Sequence, residues 1–243
     1  MAAVPDSRPR VPWLRAKNLL FACVALMAVY VIRHNEHFLL DRSDPFWQHI
    51  ETFKWWLLAH GLAGACALIL APLQFSDRLR QRLTKMHRVV GRIYITGVFI
   101  LAPLGAYIEY LEERIGGTRS ETIATGVFAI LLMSTTSIAL FFILNRKIPQ
   151  HRQWMTRSYA VALVFFEVRV IGGIFRLDDN AAASDTVFWI CLVLAIPLAD
   201  LILQLQESRR ARAPRPADAG RLVQNRETIA LESDGRGRTP GIG

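Results

Sequence analysis

Residues 55–75 read WWLLAHGLAGACALILAPLQF, a run of 21 residues in which His60 and Gln74 are the strongly polar side chains. A helix rises about 1.5 Å per residue, so such a run crosses the roughly 30 Å hydrocarbon layer of a bilayer. Working outward, the same signature returns at Asn18–Ile32, Val89–Leu111, Thr122–Leu144, Trp154–Phe175 and Thr186–Leu205. The first of these is short, and Trp13 and Leu14 extend it. The whole chain of 243 residues is 52% hydrophobic with a mean hydropathy of +0.26, above the range of ordinary soluble domains. The expected fold is all-α: a polytopic membrane helix bundle with six transmembrane helices.

The net charge of +9 is distributed by topology. Arg8, Arg10, Arg15 and Lys17 precede the first span; Arg78, Arg80, Arg82, Lys85 and Arg88 lie between the second and third; Arg146, Lys147 and Arg152 lie between the fourth and fifth. The alternate loops hold the acids Glu36, Asp41, Asp44, Glu51, Glu112, Glu113, Glu121, Asp178, Asp179 and Asp185. By the positive-inside rule both termini are expected in the cytoplasm. This pattern argues against nucleic acid as a partner and for the lipid bilayer, with anionic lipids at the cytoplasmic face. Residues 1–17 then form a cytoplasmic segment, 18–206 the six-helix transmembrane domain and 207–243 a disordered, basic cytoplasmic tail. No small-x-small cleavage site follows the first apolar run before Arg33, so that run is expected to remain as a helix.

Cys23, Cys66 and Cys191 all fall inside spans without metal-site spacing, and are read as packing residues. Residues 76–88, SDRLRQRLTKMHR, suit a short amphipathic helix on the inner headgroups. In the outer segment 44–54 the aromatics suit a membrane surface, with His49 an interfacial side chain. Pro72, Pro103 and Pro197 predict kinks; Gly61, Gly64, Gly91, Gly97, Gly105, Gly172 and Gly173 allow close helix approach. Ser134 to Ser137, including Thr135 and Thr136, read as hydrogen-bonding glue between helices.

Two phrases resemble one another: HRVVGRIY at 87–94 and HRQWMTRSY at 151–159, 64 residues apart. Each opens a span running outward, so the third and fourth spans and the fifth and sixth look like two parallel hairpins. The offset is imperfect, because Arg92 is five residues beyond His87 and Arg157 six beyond His151. His87 and His151 nevertheless enter at one depth.

Ionisable groups in lipid are costly and by default mark a functional interior. Helical periodicity sorts them into two layers. The inner holds His87, His151, Gln74 and Asp200, flanked by Arg88, Arg92, Arg152 and Arg157. The outer holds His60, Glu109 and Arg169, with Glu167 on another face. A buried Arg169 would need His60, Glu109 or Glu167 as partner. The positive helix ends and neighbouring arginines favour uncharged imidazoles at His87 and His151, the form that ligates iron. Haem b held by His87 and His151, with Arg88, Arg92, Arg152 and Arg157 on its propionates, suits that inner layer. A purely structural polar network suits the same residues equally.

The succession HGLAGA (60–65), APLQF (71–75), LR (79–80), HRVVGRIY, Thr135-Thr136, HRQWMTRSY and VR (168–169) resembles the predicted bacterial membrane proteins of the family of unknown function DUF 2306, over a core of about 55–175. The resemblance implies an integral, multi-pass protein of a bacterial inner membrane and no particular activity. It places His60, Gln74, His87, Arg88, Gly91, Arg92, Tyr94, His151, Arg152, Trp154, Met155, Arg157 and Arg169 on motif positions; Glu167 departs from the pattern. The short His-Arg phrases are also similar to those of small membrane proteins of haem-copper oxidase assembly.

Three functions stay open. One is a redox-linked component binding haem b or quinone, or assisting a respiratory-chain partner. The second is a proton-coupled transporter or channel with a polar path through His60, Arg169 and Asp200. The third is a scaffold without catalysis. The chain lacks a nucleophile elbow, HExxH, Walker loop or paired catalytic carboxylates, which ranks an enzyme at the inner membrane face last.

Overall fold

A computed structural model of the chain describes residues 16–39, 41, 43–76, 81–177 and 180–211. Among these residues the structure is helical and contains no strand. The long helices are α1 (Ala16–His34), α2 (Lys54–Gln74), α3 (Thr84–Ile115), α4 (Arg119–Leu144), α5 (Ile148–Phe175) and α6 (Ala181–Ala211). Five of them, α2 to α6, are long and apolar enough to cross a membrane; the described apolar part of α1, Leu19–His34, is shorter. The chain is accordingly a multi-pass membrane protein. It divides into a unit of residues Met1–Asp200 and a second of Leu201–Gly243, of which Leu201–Ala211 is described and helical.

Helix ends depart from the apolar windows for a simple reason: the backbone ladder continues wherever no breaker stands, whatever the side chains face. The third helix starts at Thr84 and ends at Ile115, outside Val89–Leu111 at both ends. The expected headgroup helix at 76–88 is therefore corrected. Residues 77–80 lie outside the described residues, Gln81 and Arg82 are helical, and Met86 and His87 already belong to the first turn of α3. The last helix likewise runs to Ala211, into the stretch expected to be disordered; residues 212–243 lie outside the description, as do 1–15. Each of α2, α3 and α6 continues through its proline, Pro72, Pro103 and Pro197.

Local chemistry sets several boundaries. Thr118 caps α4, its hydroxyl accepting from the Glu121 amide at 3.3 Å, as expected of a T-x-x-E start. Gly116, at φ 122, ends α3, and the Gly117 amide donates back to the Glu112 carbonyl at 2.9 Å. Arg176 closes α5 in a left-handed conformation, φ 52, with the Leu177 amide on the Gly172 carbonyl at 2.9 Å.

In lipid, helices are held by van der Waals fit and buried polar bonds, since apolar surface gains little by leaving apolar solvent. The pair α2 and α3 shows this. Trp56 meets Tyr107, His60 meets Leu101, Ala63 meets Gly97 and Gln74 meets His87, so the two run antiparallel. A β-carbon at Gly97 would stand 3.1 Å from the Ala63 carbonyl oxygen, so a larger residue there would oblige the helices to give by a few tenths of an ångström. Gly173 does the same for α1, where a β-carbon would run into Tyr30 and His34. Gly61 and Gly64 do not fit this expectation: an added β-carbon at either would meet nothing within 4 Å.

The central core joins Val24, Ala28 and Val31 of α1 to Ala67 and Leu68 of α2, Tyr94 and Val98 of α3, Leu132 of α4, Val161 and Val164 of α5, and Leu192 and Ala195 of α6. A second cluster, Phe38, Ile50, Phe53 and Ile108, covers the end of α2 and α3 nearest the acidic loops. There Trp47 Nε1 donates to the Phe38 carbonyl at 2.9 Å, and His49 Nε2 lies 3.1 Å from Glu112 Oε2.

Candidate functional site

At mid-bundle α3, α4 and α5 meet through three hydroxyls. Tyr94 Oη lies 2.7 Å from Ser158 Oγ, and Ser158 Oγ lies 2.7 Å from Thr136 Oγ1, all three residues having no measurable exposure. Thr136 also reaches the Leu132 carbonyl at 2.7 Å. A carbonyl only accepts, so the proton order follows: Thr136 donates to Leu132, Ser158 to Thr136 and Tyr94 to Ser158. Any other order leaves one short oxygen pair without a proton. One residue on, the Tyr159 hydroxyl donates to the Leu68 carbonyl of α2 at 3.1 Å.

Below this knot, toward the basic loops, lies the layer with His87 and His151. Tyr94 and Ser158 each follow their histidine by seven residues, two turns, so both imidazoles leave the same faces of parallel helices roughly 10 Å further down. His151 Nδ1 sits 2.8 Å from the Ala139 carbonyl of α4 and must donate to it, which places the lone pair of a neutral ring on Nε2. Gln74 Nε2 donates to the His87 backbone carbonyl at 3.0 Å, tying the end of α2 to the start of α3. Arg157 Nε donates to Asp200 Oδ1 at 2.7 Å, and its guanidinium lies 4.7 Å from the Trp154 ring centroid. Arg88, Arg92 and Arg152 are exposed. The structure thus brings Gln74 to His87 and Asp200 to Arg157.

Above the knot the second group lines an open cavity of about 780 Å³, bounded by residues of all six helices. His60, Glu109 and Arg169 all face it. His60 Nδ1 donates to the Leu101 carbonyl at 2.8 Å, and its ring fits against Gly105, where a β-carbon would be 2.9 Å from Cε1. Thr122 of α4 reaches the Glu109 backbone carbonyl at 3.3 Å. Arg169 corrects the expectation of a buried guanidinium. It is exposed toward the cavity, with Cζ 5.4 Å from the Phe165 ring centroid, because a long side chain at this depth reaches the open space instead of packing inward. Neither His87 nor His151 lines this cavity. Groups of three or more His, Cys, Asp or Glu fit to hold a metal ion do not occur among the described residues.

Sequence reading expected Thr136 to hydrogen-bond between helices, as it does with Ser158, but passed over Tyr94 and Ser158 as its partners. The available signal was the spacing itself, since the offset of 64 residues that relates His87 to His151 also relates Tyr94 to Ser158.

The family described as predicted membrane protein (DUF2306) matches residues 57–203, which span α2 to most of α6. No curated protein and no solved structure matches the chain significantly.

Proposed function

The chain belongs to the DUF2306 family of predicted membrane proteins, and within that frame we propose that it is a redox-linked component of a bacterial inner membrane, holding haem b between α3 and α5. In this reading all six helices cross the bilayer and both termini face the cytoplasm. The 19 residues of α1 reach about 28 Å, nearly the hydrocarbon thickness. Its Val24, Ala28 and Val31 share the central core with the longer helices. The basic loops then face inward, and exposed Arg88, Arg92 and Arg152 meet anionic headgroups or haem propionates.

The observation that carries the reading is the 2.7 Å bond between Tyr94 and Ser158. It ties two helices at equivalent positions, two turns beyond His87 and His151, and so supports reading the two imidazoles as lying at one depth. The His151 Nδ1 bond to Ala139 orients Nε2 as the ligating nitrogen, the usual arrangement for an imidazole on a metal. Bound haem would supply one-electron transfer. Arg157 would act on a propionate only by sharing its guanidinium with Asp200.

The test is an absorption spectrum of protein purified from haem-replete cells, reduced and oxidised. A Soret band lost in both His87→Ala and His151→Ala is expected; a featureless spectrum in the wild type removes the haem reading. Organic extraction of the same sample would then recover a quinone if that is the occupant, and co-purification would report a respiratory partner.

A second reading, a proton-coupled transporter, is favoured by one arrangement: the Arg157–Asp200 pair ties one end while the cavity with His60, Glu109 and Arg169 opens at the other. Proteoliposomes with the purified chain should then show pH-driven flux that His60→Ala and Arg169→Ala abolish.

A further inference from the structure

At the end of the α2 and α3 hairpin opposite His87, four aromatic rings stand open. Trp55 is 73% exposed, and Trp56, Tyr107 and Tyr110 are each nearly half exposed. Trp56 and Tyr107 meet edge to face across the two helices, their ring centroids 5.9 Å apart. Tyr107, Tyr110 and Arg114 follow at spacings of three and four residues, so they share one face of α3. Two cations lie against these rings. Lys54 Nζ is 5.8 Å from the Trp55 ring centroid, and Arg114, itself exposed, donates from Nη1 to Tyr110 Oη at 3.2 Å. Lys54 also holds a carboxylate, Glu51 Oε1 at 2.6 Å, whose side chain is 67% exposed.

The depth of this patch follows from two contacts between the same helices. Trp56 meets Tyr107 at one end, and Gln74 donates to the His87 carbonyl at the other. At 1.5 Å per residue, Trp56 to Gln74 is about 27 Å along α2 and Tyr107 to His87 about 30 Å along α3. That separation is the thickness of a hydrocarbon layer, about 30 Å. The open rings therefore fall at headgroup level, where Trp and Tyr are enriched because an apolar body and a polar edge both find their medium. Lys54 and Arg114 then reach the phosphates just beyond.

Charge selects the headgroup. A phosphodiester takes charge-assisted hydrogen bonds from the guanidinium and the Lys54 ammonium. A headgroup of purely negative charge would also meet Glu51, and Glu113 next to Arg114 in the chain, as like charges. A zwitterion uses both signs: its phosphate lies on the cations, while its own ammonium turns to Glu51 and to the open face of Trp55. A trimethylated ammonium has no N–H group to give Glu51. A primary ammonium has three.

We propose that this patch is a binding site for a phosphoethanolamine lipid, with Arg114 and Lys54 on the phosphate and Glu51 and Trp55 on the ammonium.

The experiment titrates the delipidated full chain in dodecyl maltoside with phosphatidylethanolamine, phosphatidylcholine or phosphatidylglycerol of identical acyl chains, and counts bound lipid by native mass spectrometry. The quantity read is the binding that the double variant Trp55→Ala with Arg114→Gln removes, which separates this patch from the arginines at the other end. That part should be several-fold larger for phosphatidylethanolamine than for the other two lipids. Glu51→Gln should abolish the preference over phosphatidylglycerol, whereas Arg119→Gln, at the start of α4, should change nothing. Each substituted side chain is exposed, so the variants retain the fold. A removed part that is absent for phosphatidylethanolamine overturns the proposal, and so does one as large for either other lipid. None of these residues belongs to the layer of His87 and His151, so the haem reading stands or falls separately.

Discussion

Tyr94 and Ser158 stand 64 residues apart in the chain and 2.7 Å apart in space, each two turns beyond a His-Arg pair. The bond joins equivalent points of two similar phrases, and Thr136 completes it from a third helix. Tyr94→Phe removes one donor and leaves Ser158 donating to Thr136, so a loss of about 1 kcal/mol is expected. Ser158→Ala strands the Tyr94 hydroxyl in the core and should cost more, about 1–3 kcal/mol. The double variant should cost less than the sum, with a coupling of about 0.6 kcal/mol as found for bonds between membrane helices. Unfolding in mixed detergent micelles measures all three.

Gly105 is the seat of the His60 ring. A β-carbon there comes within 2.9 Å of Cε1, so Gly105→Ala should force the imidazole off the Leu101 carbonyl and destabilise by about 1–3 kcal/mol. Gly126→Ala, with nothing within 4 Å, should be neutral or stabilising by up to about 1 kcal/mol. The hydrogen-bonded Nδ1 proton of His60 should disappear from the nitrogen-correlated spectrum of the first variant and persist in the second.

Gly173→Ala should loosen α1, because the new methyl takes the place of Tyr30 and His34. Val24 is 4% exposed and serves as reporter. With Cys23, Cys66 and Cys191 replaced by alanine, Val24→Cys should react slowly with maleimide, and several-fold faster once Gly173→Ala is added. Equal rates would show that α1 does not depend on this contact.

The Arg157–Asp200 pair is half open, with side chains 20% and 38% exposed, so its worth is modest. A double-variant cycle with Arg157→Gln and Asp200→Asn should give a coupling of about 0.5–1 kcal/mol that shrinks in high salt. Trp154 fluorescence should change on Arg157→Gln, which removes the guanidinium from its ring face.

Hydropathy located the long helices because lipid tolerates few unpaired polar groups, a constraint written into every residue of a span. It did not locate helix ends: Thr84 and Ile115 stand beyond the apolar window of α3, and backbone bonds carried the helix there. Periodicity put His60, Glu109 and Arg169 in one group, and they do share a cavity. It could not tell that Arg169 would face open space, since a shared face does not say what fills the neighbouring volume. The helices between which Thr136 would bond were legible only as far as Thr136 itself, and its partners Tyr94 and Ser158 were hidden for another reason. Hydroxyls occur throughout apolar spans, and their own helix usually satisfies them, as Thr135 does with Leu131 and Ser137 with Met133.

One further regularity bears on how the protein is made. His60 of α2 bonds a carbonyl of α3, and His151 of α5 bonds a carbonyl of α4, so each of the two adjacent hairpins contains its own histidine clasp. A hairpin of this kind can leave the translocation channel with its imidazole already satisfied by the helix synthesised next to it. Inserted as such a pair, neither of these two imidazoles would have to wait in lipid for a partner on a later helix pair.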